Sequence, residues 1–64
     1  MKILEILPAC IDKRPKMYTI VYEQHYKTYS ETIKERELLR NFNLDKSEFT
    51  RILRLSIINA GNKL

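Results

Sequence analysis

The stretch KMYTIVYEQHY, residues 16–26, crowds β-branched and aromatic side chains together and decides the fold. Successive side chains of a strand point to opposite faces, so residues of one parity share a face. The apolar residues of one parity here are Tyr18, Ile20, Tyr22 and Tyr26. We therefore predict a strand over about residues 16–26. Its tyrosine-rich face would contact the core or a partner.

A second strand is predicted upstream, over about residues 2–7. This segment is a short run rich in Ile and Leu that stops at Pro8, which suits a strand better than a helix of useful length. Residues 8–15 hold both prolines of the chain and three charged residues, so we interpret them as a loop.

A first helix is predicted over about residues 30–42. Thr28 and Glu31 have the spacing of a capping box, and Ser30 is a competing cap. At about 100° per residue, Ile33 points away from the apolar side of this helix. The apolar residues that cluster on that side are Leu38, Leu39 and Phe42.

A second helix is predicted over about residues 45–59. Asn43 can adopt the left-handed conformation that ends the first helix, and Asp45 or Ser47 can cap the second. Gly61 and the asparagine after it form a stop signal. The predicted core stripe of this helix is Phe49, Ile52, Leu53, Ser56, Ile57 and Ala60.

These elements predict a small α+β fold, with one or two N-terminal strands followed by two helices in a single domain over residues 1–64. A chain of this length buries only a thin core, while ordering costs roughly 1.5 kcal/mol per residue. Association of two chains would bury more apolar surface. We therefore expect a homodimer.

The composition excludes several classes of site. The chain has one cysteine, Cys10, and one histidine, His25, so it can form neither an internal disulfide nor a Cys/His zinc site alone. We expect Cys10 to be a small buried apolar residue and His25 an ordinary strand residue. There is no Gly-rich phosphate loop, paired carboxylate or nucleophile motif, so we expect neither an enzyme nor a cofactor.

The cellular compartment is also constrained by sequence. No apolar run approaches the 18 or so residues of a membrane span. Residues 1–7 contain Glu5 and do not resemble a signal peptide. We therefore expect a cytoplasmic protein.

Charge and hydroxyl groups coincide on the predicted second helix. The chain carries 12 Lys and Arg against 8 Asp and Glu, a net charge of +4, which permits an acidic partner without requiring one. Opposite the core stripe lie Ser47, Arg51, Arg54 and Ile58, with Thr50 beside them. Arginine binds phosphates or a guanine edge through two hydrogen bonds, so this face can contact DNA. A solvated helix face is the alternative.

The stretch NLDKSEFTRILRLSI, residues 43–57, resembles the second half of the ribbon-helix-helix DNA-binding domain, and the similarity extends over about residues 30–58. The residues that carry it are Leu44, Ser47, Glu48, Phe49, Arg51 and Leu53. The resemblance implies that two chains pair residues 16–22 as an antiparallel ribbon in the major groove. It also implies that Lys46 and Ser47 clamp a phosphate.

The same residues also resemble a helix-turn-helix, with Asn43 at the tight turn. Its apolar positions would be Leu38, Leu39, Phe42, Leu44, Phe49 and Ile52. In this arrangement Ser47, Thr50, Arg51 and Arg54 would face the major groove. Both resemblances imply that the second helix lies against DNA.

A further basic cluster, Lys13, Arg14 and Lys16, is a candidate phosphate-contacting loop, with a solvated loop as the alternative. The candidate partner or dimer residues are Tyr18, Ile20, Tyr22, Leu55 and Ile58. The predicted function is a homodimeric regulator that binds specific double-stranded DNA, as repressor, activator or accessory factor. One alternative is a protein-interaction module, such as a small inhibitor or adaptor. Another is a binder of RNA or of a single strand, which would stack bases on the tyrosines.

Overall fold

The computed structural model describes residues 1–9 and 17–62. The elements in chain order are β1 (Lys2–Ala9), β2 (Met17–Gln24), β3 (Lys27–Lys34), α1 (Glu35–Asn41) and α2 (Lys46–Asn62). The strands form one antiparallel sheet in the order β1-β2-β3, and both helices pack on the same face of it. The fold is therefore a small α+β domain, with one strand more than the sequence predicted.

The core lies between the central strand β2 and the two helices. Ile20 pairs with Ile6 of β1, and both side chains are fully buried. The ring of Tyr18 meets Phe49 of α2 edge-on, with the centroids 5.0 Å apart. The remaining buried apolar residues among those described are Leu38 of α1 and Phe42, the residue directly after that helix. The predicted alternation of Tyr18, Ile20 and Tyr22 thus builds the core, with Tyr22 half-buried against it. Tyr26, which was predicted on the same face, is not part of the core.

The predicted first helix over 30–42 was wrong in its first half, because residues 30–34 belong to β3. Glu31 pairs with Ile20 on the neighbouring strand, so it cannot close the predicted capping box. Ile33, which fitted no helical stripe, pairs with Tyr18 and packs against the core. The hydrophobic period changes from two residues to 3.6 only at Glu35, where α1 begins.

The predicted strand over 16–26 ends at Gln24, because His25 and Tyr26 form the turn into β3. Their φ angles are 53° and 63°. Positive φ at both central residues of a two-residue hairpin defines a type I′ turn, which normally contains Asn-Gly. His25 is therefore a turn residue and the strand assignment for it was wrong, while Tyr26 is fully exposed at the tip.

The junction between the helices follows the sequence signals. Asn43 has a φ of 52°, and the N–H of Leu44 donates to the carbonyl of Leu39 at 3.0 Å. This is the bond of a Schellman motif, which satisfies a carbonyl at the end of a helix. Asp45 Oδ1 accepts the N–H of Glu48 at 2.7 Å, so Asp45 is the N-cap of α2.

Helix α2 packs on the sheet through residues 49–56 and leaves its last turns exposed. Phe49 and Ser56 are buried, and Ile52 and Leu53 are half-buried, as the predicted stripe requires. Ile57 and Ala60 were also assigned to that stripe, but every residue from 57 to 62 is exposed. The helix continues through the expected stop at Gly61, so these last turns extend past the core.

Candidate nucleic-acid interface

The outer face of α2 is set by what its inner face contacts. Because Phe49 packs on Tyr18 and Ser56 bonds to Ile6, the side chains opposite them point to solvent. This outer face consists of Ser47, Arg51, Arg54 and Ile58, all of which are exposed. The structure therefore brings together four of the residues that the sequence placed opposite the core stripe.

The two arginines keep their charge available on this face. Within residues 1–9 and 17–62, the ion pair present is that of Lys46 with Glu35, and neither arginine takes part in it. Arg51 and Arg54 are three residues apart, so their side chains lie side by side on the helix. Two guanidinium groups in this arrangement can hold adjacent phosphate oxygens or a base edge.

The first turn of α2 is less suited to an anion than the sequence suggested. Lys46 Nζ lies 2.7 Å from Glu35 Oε2 of α1, so part of its charge is neutralised. The carboxylate of Asp45 already occupies the cap and would repel a phosphate there. Thr50 Oγ1 donates to the carbonyl of Lys46 at 2.8 Å, so its hydroxyl proton is already used. Ser47 is exposed, and within residues 1–9 and 17–62 its hydroxyl makes no side-chain hydrogen bond.

The strand that the ribbon-helix-helix resemblance assigns to the ribbon is the central strand here. One edge of β2 pairs with β1 and the other with β3, so neither edge is open to a second chain. Tyr18 and Ile20, which the sequence placed at a partner surface, are 7% and 0% exposed within one chain. Burial in the chain's own core removes both residues from any partner surface.

The tyrosine cluster lies at the hairpin end of the sheet. The Tyr22 ring stacks on Tyr29 at a centroid distance of 5.4 Å and meets Phe42 edge-on at 4.9 Å. Its hydroxyl donates to Glu31 Oε2 at 2.9 Å. This hydrogen bond is the main cause that raises the pKa of Tyr22 above its ordinary value of 10.0. Tyr22 is therefore held in place within the chain, while Tyr29 stays exposed at the edge strand.

Three large apolar side chains are exposed on the last turns of α2. Leu55 and Ile58 are 51% and 52% exposed, as expected from their position outside the core stripe. Ile57, which the sequence assigned to the core, is 47% exposed and adds to them. No signal in the sequence distinguished Ile57 from the buried residues, because it follows the same helical spacing.

The helix-turn-helix arrangement retains its apolar positions. Leu38, Phe42 and Phe49 are buried around the turn at Asn43. The half-buried positions are Leu39, Leu44 and Ile52. The first helix of the pair, Glu35–Asn41, is shorter than predicted because β3 occupies the residues before it.

The basic cluster and the cysteine that the sequence singled out cannot be placed in the fold. Lys13, Arg14, Lys16 and Cys10 lie outside the described residues. In the described part of the chain, no three His, Cys, Asp or Glu residues come together as metal ligands. No helix among residues 1–9 and 17–62 is both long and apolar enough to cross a membrane.

No protein-family model matches the chain, and no curated protein or solved structure is detectably similar to it.

Proposed function

We propose that the chain binds double-stranded DNA as a homodimer and acts as a small regulator through occupancy of its site. The observation that supports this is the pair Arg51 and Arg54, exposed side by side on the outer face of a helix anchored to the core. Arginine forks on a rigid helix are suited to phosphates and to the edge of guanine. Ser47, on the same face, adds a hydroxyl that can donate to a phosphate.

The structure supports docking by the helix more than docking by the sheet. A ribbon in the major groove needs a strand with a free edge to pair with the second chain, and β2 has none. The sequence α1, turn at Asn43 and α2 matches the order of a helix-turn-helix, in which the second helix enters the groove. We therefore place α2, and not β2, against the DNA.

The first experiment is a titration of labelled random-sequence duplex DNA, followed by fluorescence anisotropy at about 50 mM and about 200 mM salt. Each phosphate contact releases counterions, so the affinity should fall steeply as salt rises. We expect measurable binding at the lower salt and its loss at the higher. Absence of binding at the lower salt would reject the proposal.

A protein-interaction module is a second candidate, favoured by the exposed apolar residues Leu55, Ile57 and Ile58. Large apolar side chains grouped on one element are typical of a contact with another protein. Binding through such a surface depends on apolar burial and hardly changes with salt. The salt response therefore distinguishes the two candidates.

A further inference from the structure

The two outer edges of the sheet differ in how their backbone groups are used. At the β1 edge, the N–H of Ile6 donates to Ser56 Oγ at 3.0 Å, so it points away from β2. Residue 8 has the same orientation two positions along, but Pro8 has no N–H to donate. Helix α2 and a proline thus close this edge to further strand pairing.

The backbone N–H and C=O groups of β3 also alternate in direction, so the residues whose groups point away from β2 can be identified. Because Ile6 points away from β2, its partner Ile20 directs its N–H and C=O toward β3, where Glu31 lies opposite. Ser30 and Thr32, on either side of Glu31, therefore direct their N–H and C=O groups outward, away from β2. Within the described residues, no hydrogen bond covers these outward groups, and β3 is exposed along almost its whole length.

We propose that this open edge pairs with β3 of a second copy of the chain, antiparallel, with Tyr29 on the two-fold axis. In this register Lys27 lies opposite Glu31 of the second copy, and this pair occurs twice in the dimer. The two Tyr29 rings meet at the axis and extend the stack that each already makes on Tyr22. Ser30 exchanges backbone hydrogen bonds with Thr28 of the second copy.

Charge favours this register over the two-fold axes at Ser30 and at Glu31. Residues whose backbone groups point outward must lie opposite residues of the same kind in the second copy. Because these are every second residue of β3, the two-fold axis must pass through a residue and not between two residues. An axis at Glu31 would place two carboxylates opposite each other, which is destabilising. An axis at Ser30 would place Lys27 opposite Ile33 and Glu31 opposite Tyr29, so neither charge would face an opposite one. The Tyr29 axis alone among these three gives opposite charges on facing positions.

This pairing of β3 strands would be the interface of the proposed DNA-binding homodimer, and in that respect the inference rests on the proposed function. A two-fold axis that relates two antiparallel strands is perpendicular to the sheet. Both α2 helices therefore lie on the same face of the joined sheet. The outer strands of the joined sheet are five strand spacings apart, about 24 Å. Each α2 bonds to the outward edge of β1, so the helices lie farther apart, toward the roughly 34 Å between DNA half-sites.

The test is charge reversal at the two facing positions, read out by sedimentation equilibrium of the full chain. K27E alone and E31K alone each place like charges opposite each other twice, so the dimer dissociation constant should rise about tenfold or more. A mixture of the two variants places opposite charges at both contacts. We expect a heterodimer of near wild-type affinity to form in the mixture.

Lys34→Glu is the matched control, because it reverses a charge on the same strand outside the paired segment and should leave dimerisation unchanged. A monomeric wild-type chain, or a mixture that fails to restore association, would overturn the proposed interface. This outcome is separable from the DNA titration. Restored dimers without DNA binding would reject the proposed function and leave the interface standing.

Discussion

Ser56 Oγ lies 3.0 Å from the backbone nitrogen of Ile6 and accepts its hydrogen bond across 50 positions of the sequence. The same hydroxyl donates to the carbonyl of Ile52 at 2.8 Å, so it acts as both hydrogen-bond donor and acceptor. Ser56 is 4% exposed. This polar contact therefore joins α2 to the edge of the sheet and fixes the position of Ser56 over β1.

Ser56→Ala should lower the free energy of unfolding by about 1–3 kcal/mol, because it leaves the buried N–H of Ile6 without an acceptor. Ser47→Ala is the matched control on the same helix, since Ser47 is exposed, and should change stability by less than about 0.5 kcal/mol. Urea denaturation of the two variants gives the comparison. Equal midpoints would show that the Ile6 contact contributes nothing.

Replacing the hairpin tip should stabilise the fold. His25 and Tyr26 both hold positive φ, which costs an L-residue with a side chain about 1–2 kcal/mol. The double change His25→Asn and Tyr26→Gly installs the preferred type I′ pair and should raise the free energy of unfolding by about 1–2 kcal/mol. Thermal unfolding measures the gain. Tyr26→Phe keeps the strain and should behave as wild type, so an equal gain there would rule out this cause.

Arg51→Ala and Arg54→Ala should each weaken DNA binding by about 1–3 kcal/mol without changing the fold. Each arginine that contacts a phosphate also contributes about one unit to the salt slope, so that slope should fall in the variant. Arg36→Ala is the control, since Arg36 is exposed on α1 and lies off the outer face of α2. Anisotropy titrations that give wild-type affinity for both α2 variants would remove this face from the binding site.

Glu31→Gln should lower the pKa of Tyr22 toward its ordinary value of 10.0. The hydrogen bond to the Glu31 carboxylate is the largest cause of the raised pKa, followed by burial and by repulsion between the two charges. The pKa of Tyr22 is higher in the folded chain than in the unfolded chain. The hydrogen bond to Glu31 therefore contributes fully to stability below pH 10.0, and this contribution is lost as the pH rises through the folded pKa. An NMR titration of the Tyr22 ring measures it.

Glu37→Gln is the control for this titration, because Glu37 lies on α1 and makes no hydrogen bond to Tyr22. It should leave the Tyr22 pKa where the wild type has it. An unchanged pKa in Glu31→Gln would mean that the contact with the carboxylate does not hold the phenol proton in solution.

Elements with strong local signals were predicted from the sequence. The alternation of Tyr18 and Ile20 identified β2, because a buried face must repeat every second residue. The left-handed Asn43 and the cap at Asp45 identified the junction of the helices from the chemistry of single side chains. The exposed positions of Arg51 and Arg54 followed from helical spacing once the buried side of α2 was known.

Other features were decided by the tertiary structure, because they depend on groups far apart in the chain. Glu31 and Ile33 lie in a strand, since β2 offers them backbone partners that a local helical pattern does not reveal. Ile57 has the spacing of a core residue, yet none of the described elements covers it and it stays exposed. The residues alone thus determined which side chains are apolar and where helices can start, whereas the sheet decided which of them are covered.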